Sequence, residues 1–246
     1  MAELEWLPDQ TRAQVQEAAE AAAQALGEQL LAVCLIGAAA GPNRNYRGGM
    51  PELVVVAKQL GVETLHALAR GLAAPLRAGL QIRTITQLEL LGSTDVHALE
   101  IAEWRARNVV LAGEDPFIDL VITPADLRHE LERALRTLSH RLRNRVLWCL
   151  ATDQRRLDPV LREALERLTM IGYHTLELRG ENLPLDEGKA LERFVIWAGA
   201  DYAPLQALRE RLLSNGIPDD PLAELTALAT LTEAACAEID DLVVDR

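Results

Sequence analysis

The stretch IGAAAGPNRNYRGGMPELVVV, residues 36–56, collects residue types that could do chemistry. An apolar run ends at Gly37. A loop with Asn43, Arg44, Asn45 and Arg47 follows, and Gly48 and Gly49 let a backbone come close to a ligand. Guanidinium groups and backbone N–H donors suit a phosphate or another anion. The same composition also suits a solvated loop with no ligand. The spacing is neither G-x-x-x-x-G-K-S/T nor G-x-G-x-x-G, so neither of those phosphate-binding fingerprints applies. The other chemistry open to a strand–loop–strand unit is metal binding by carboxylates on the second strand, which Glu52 opens. Glu52 reads equally as a polar residue at a strand mouth. Glu100 stands in an apolar run, where a carboxylate needs a partner, and Arg83 or Arg105 would serve. His66, His97, His129 and His174 show no ligand spacing, and no Ser-His-Asp or Cys-His arrangement can be argued.

The elements that must position these groups follow from apolar periodicity. Asp9 suits the cap of a helix that runs through the Ala-rich stretch to about Gly27. LLAVCLIG is short and apolar and ends at glycine, which predicts a buried strand. ELVVVAK is β-branched and predicts a second. Residues 62–78 read as helical, with weak points at Gly71 and Pro75. LQIRTITQLEL alternates, so part of it should be a strand. VHALEIAEW is a further strand candidate. From about residue 123 the pattern becomes helical. Thr123 suits an N-cap, Pro124 the first helical position and Asp126 a capping-box spacing. Further helices should open at Asp158, Asp186 and Asp220, with Pro204 breaking or kinking the third. The expected fold is an α+β domain at 1–122, a mixed sheet with helices, followed by an all-α helical bundle at 123–246.

Bulk composition narrows the partners. The chain has 246 residues and a formal net charge of −12. That length allows one large domain or two of roughly 100–150 residues. The acidic balance makes nucleic acid an unfavoured partner, because phosphate backbones are held by Lys and Arg. No apolar run is long enough to span a membrane, and no leader is expected in the acidic N-terminal stretch. Cys34, Cys149 and Cys236 are far apart and form no CxxC pair, which predicts buried free thiols in a reducing cytoplasm. Residues 126–146 carry six arginines against three acidic residues. Such a stripe either meets a polyphosphate or answers acidic surface, with Glu233, Asp240 and Asp241 as candidates.

With these segments in order, the chain resembles the nucleotidyltransferase superfamily, whose best-known fold is that of DNA polymerase beta. That family carries Gly-Ser after its first core strand, then an Asp-x-Asp strand, then a third carboxylate on a neighbouring strand. Gly37-Ala38 stands at the Gly-Ser position, and Met50 and Glu52 stand at the two aspartates. Glu100 would be the third carboxylate. STDVHALEIAEWRARNVVLAGEDPF and the following VVLAGEDPFIDLVITPADLRHELERAL are similar to the passage from this domain into a helical C-terminal domain. The likeness is strongest at 30–57 and 93–145.

The resemblance implies a site for a nucleoside triphosphate and Mg²⁺. Gly37, Ala38, Arg44 and Arg47 would hold the nucleotide, and Glu52 and Glu100 would be the catalytic and metal-binding groups. Mg²⁺ demands hard oxygen ligands. Met50 offers a thioether, Ala38 lacks the family's hydroxyl, and Pro51 is unusual in a central strand. The expectation is a degenerate, catalytically inactive member that binds a nucleotide or, through its helical domain, a protein partner or a second copy. The alternative is an active Mg²⁺-dependent small-molecule nucleotidyltransferase using Glu52 and Glu100; a shifted alignment would instead make Glu89 or Glu103 a substitute ligand.

Overall fold

A computed structural model describes residues 4–40, 51–152, 157–184, 186–214, 216 and 219–243. The chain divides into two compact units, Met1–Ile122 and Thr123–Arg246.

The first unit is built on a four-stranded sheet of order β3–β2–β1–β4. The strands are β1 (Leu30–Ile36), β2 (Glu52–Ala57), β3 (Gln81–Thr86) and β4 (Asn108–Gly113). β1 pairs antiparallel with β2 and with β4. β2 and β3 run parallel, with Glu52 opposite Gln81 and Val54 opposite Arg83. A parallel pair needs a crossover. Here it is α2 (Val62–Gly71) and α3 (Ala73–Arg77), separated at Leu72 close to the expected weak points.

The central strands are buried on both faces, which explains their unbroken apolar sequence. Val33, Leu35, Leu53 and Val55 pack on one face with α1 (Asp9–Leu26). Ala32, Cys34, Ile36, Val54 and Val56 pack on the other, with Ile101, Trp104 and Phe117. Cys34 is buried and unpaired, as are Cys149 and Cys236.

Two expectations need correction. The run VHALEIAEW is no strand. Residues Ala98–Ala106 form helix α5, and α4 (Gln87–Leu91) precedes it. Ala98, Leu99, Ile101, Ala102 and Trp104 are the apolar groups that α5 buries. Ala, Leu and Glu are strong helix formers, and a short apolar run leaves strand and helix undecided. The place beside β1 is taken by β4 instead. The second correction lies in the helical unit. No helix from Asp186 reaches Pro204. α8 ends at Trp197, Gly199 takes φ +72°, and Pro204 lies in the first turn of α9, where its missing N–H costs nothing.

Among its described residues the second unit's regular elements are all helices: α6 (Pro124–Thr152), α7 (Asp158–Leu178), α8 (Glu187–Trp197), α9 (Ala203–Leu213) and α10 (Pro221–Asp240). Thr123 caps α6, its Oγ1 accepting from Asp126 N at 3.1 Å. Asp186 and Asp220 cap α8 and α10 in the same way. Leu127, Leu131, Leu135, Leu138 and Leu142 form the buried stripe of α6, and α10 packs against that helix. α7 lies against α8, where Gly172 leaves room for the Phe194 ring. No helix among the described residues is long and apolar enough to cross a membrane.

Candidate functional site

β1 delivers the chain to a short 3₁₀ turn at Gly37–Ala39. Gly37 has φ +69°, a conformation glycine adopts without strain. Ala40 N donates to Gly37 O at 3.1 Å, and Trp6 Nε1 donates to Ala39 O at 2.9 Å. The turn to which the resemblance gives a nucleotide is therefore pinned by the segment that leads into α1. Ala38 lies within it. Arg44, Arg47 and Met50 lie outside the described residues.

Glu52 is the first residue of β2. Alternation along a strand sends Glu52, Val54 and Val56 to one face, and Arg83 and Ile85 of β3 to the same face. Val54, Val56 and Ile85 pack into the cluster that contains Ile101 and Trp104 of α5. Glu52 and Arg83 thus emerge beside α5, and Glu100 is in the first turn of that helix. The Arg83 guanidinium joins both acids: Nε donates to Glu52 Oε1 and Nη1 donates to Glu100 Oε1. The same guanidinium lies 5.9 Å from the Trp104 ring centroid. Trp104 is one helical turn beyond Glu100, and its ring rests 5.6 Å from that of Phe117. Arg83 remains half exposed, at 48%. Partial burial alone lowers its pKa, but attraction to Glu100 and Glu52 and their hydrogen bonds outweighs this, and the guanidinium ends above its ordinary value.

The two carboxylates expected to form a site are thus brought together, although Glu100 arrives on a helix rather than on a strand. β3, the strand beside β2, carries Arg83 between the two acids. From sequence alone Arg83 stands out only as an ion-pair partner for Glu100. The signal lay in LQIRTIT, which places Arg83 and Ile85 on one face once the strand is recognised. The substitute ligands are engaged elsewhere. Glu89 closes a capping box with Thr86, whose backbone hydrogen bond holds its carboxyl below the ordinary value. Glu103 is buried and lies 3.5 Å from Arg107. Among the described residues, no group of three His, Cys, Asp or Glu is placed to hold a metal ion.

The arginines of α6 also find acids. Arg136 reaches Glu132 and Asp240, Arg133 pairs with Glu130, and Arg143 lies 3.5 Å from Glu233. Arg128 donates to the Asp240 and Leu242 carbonyls at the end of α10. Apart from Arg145, which lies over the Trp148 ring, the stripe answers acidic groups within its own unit.

No protein-family model and no curated protein matches the sequence. The structure of spectinomycin adenyltransferase AAD(9) from Enterococcus faecialis, solved with ATP and spectinomycin, does match in three dimensions. The TM-score is 0.55 over 90% of this chain and 99% of that one. This is a nucleotidyltransferase fold. At 10% sequence identity the likeness is one of fold alone. Within the nucleotidyltransferase fold, the mixed sheet and the helical C-terminal part are both present, and Glu52 sits where the second core strand begins.

Proposed function

We propose that this chain is a nucleotidyltransferase-fold protein that binds a nucleotide and does not transfer nucleotidyl groups by the metal-dependent route. The observation that carries this reading is Arg83, ion-paired to both Glu52 and Glu100. Nucleotidyl transfer relies on Mg²⁺ to neutralise charge developing on the phosphates, and Mg²⁺ needs several hard oxygen ligands in near-octahedral order. The donor set here does not fit that ion. One oxygen of each carboxylate is committed to a guanidinium, the neighbouring strand adds a cation, and the sequence places Met50 and Ala38 where the fold family has Asp and Ser.

Nucleotide binding is supported by the retained glycine turn after β1 and by the ATP held by the structural neighbour. Calorimetry with each of the four nucleoside triphosphates tests binding, and a radiolabelled transfer assay with Mg²⁺ and an aminocyclitol acceptor tests chemistry. The expected result is binding of at least one triphosphate with no transfer. Mg²⁺-dependent transfer that disappears in Glu100→Gln would establish an active small-molecule nucleotidyltransferase using Glu52 and Glu100 instead.

A further inference from the structure

We propose that the Arg83 guanidinium is a built-in cation, standing between the two carboxylates that would otherwise hold a divalent metal, so that the site excludes Mg²⁺ and a nucleotide bound there is bound without metal. The inference rests on the reading above and extends it from a missing activity to the group that replaces the ion.

Three features support it. The first is placement. Glu52, Arg83 and Glu100 come from β2, β3 and α5, and nothing local in sequence brings them together. The parallel register of β2 and β3 puts Arg83 opposite Val54, beside and beyond Glu52 on the same face. Two acids from separate elements converge on one positive centre, as they would on a metal ion.

The second is competition. The guanidinium uses two different nitrogens, Nε for Glu52 and Nη1 for Glu100, and takes one oxygen of each acid. A divalent cation at these acids would be left with the other oxygen of each and would meet a fixed positive charge at close range. Guanidinium and metal are therefore alternatives. Arginine also holds its charge at every physiological pH, so titration does not open the site.

The third is anchoring. Arg83 is half exposed, and a surface arginine held only by acids would swing away at little cost. Here the guanidinium lies against Trp104, which is buried and packed on Phe117. Aromatic contact favours a cation on that face and keeps the stem in place.

Manganese binding tests the inference, read as loss of the free Mn²⁺ signal in electron paramagnetic resonance and as a metal-dependent shift in melting temperature. Wild type, Arg83→Met and Arg83→Glu are compared. Methionine keeps an apolar stem over Trp104, so one variant retains the packing if the other folds poorly. Wild type should hold no Mn²⁺ at these acids. Arg83→Met should gain one site that disappears when Glu100→Gln is added. Arg83→Glu, with a third carboxylate, should bind at least about tenfold more tightly than Arg83→Met. Wild-type binding of Mn²⁺ that is lost in Glu100→Gln would overturn the inference. So would folded Arg83 variants that gain no site, or wild-type ATP binding that is abolished by EDTA. A wild type that binds no nucleotide while the Arg83 variants gain Mn²⁺ would overturn the functional reading and uphold the cation replacement.

Discussion

Replacing Gly113 by alanine should cost far more than an ordinary surface substitution. Gly113 ends β4 opposite Ala32 of β1, with φ +79°. A Cβ there would lie 1.9 Å from Leu31 O and 2.9 Å from Ala32 Cα. Both are backbone atoms of a central strand, so no flexible side chain can move aside. A left-handed non-glycine residue costs about 1–2 kcal/mol. Relieving the overlap by parting β1 and β4 adds about 1–3 kcal/mol of strain and lost packing. The Glu114 N to Leu31 O hydrogen bond, at 3.4 Å, adjoins this point and would weaken too. The sum is on the order of 4 kcal/mol, a large share of the roughly 5–15 kcal/mol that holds a domain folded. Gly180 provides the control. It has φ +68° after α7 and nothing within 4 Å of an added Cβ, so Gly180→Ala should cost only the backbone term, about 1–2 kcal/mol. Urea unfolding followed by circular dichroism measures both. If Gly113→Ala loses no more than Gly180→Ala, the steric reasoning is wrong.

Two further outcomes follow from the core of the first unit. The Cys34 thiol is pushed up to about 12, first by burial and then by the charge of Asp115. Folding holds that proton more tightly than the unfolded chain does, so the stability it contributes is complete below pH 9.0 and is lost as pH rises toward about 12. Cys34→Ser should flatten this part of the pH–stability curve, and iodoacetamide labelling of native Cys34 at pH 8 would contradict the assignment. Phe117 is fully buried against Trp104, and Phe117→Ala should lower stability by about 3–5 kcal/mol; a loss under about 1 kcal/mol in urea unfolding would show that the site has collapsed around the gap.

Much of the fold was legible because local signals agreed with tertiary packing. LLAVCLI, and LVVVA after Glu52, are β-branched or apolar throughout and form the two central strands. Thr123, Pro124 and Asp126 mark the start of α6 through chemistry contained in four residues, and the hydrogen bonds between Thr123 and Asp126 are present. VHALEIAEW was misread because its apolar density fits either period and its helix is short. The candidate site was half legible. Glu52 and Glu100 could be named from order along the chain. Their junction could not, since it depends on which strand lies beside β2 and in what register. That information resides in the parallel β2–β3 pair, closed by a crossover, and no local pattern specifies it. Arg83 gained its meaning only when the lateral order of the sheet was known.

The packing of α10 on α6 has a consequence for synthesis. The first helix of the second unit is covered by the last, and Arg128 near the start of α6 binds the carbonyls that end α10. While the ribosome makes residues 153–220, the leucine stripe of α6 has no final partner. A nascent chain in that interval exposes apolar surface of the kind that chaperones engage. Stalling translation before Pro221 should therefore yield a protease-sensitive second unit, which becomes resistant once Asp240 has been released.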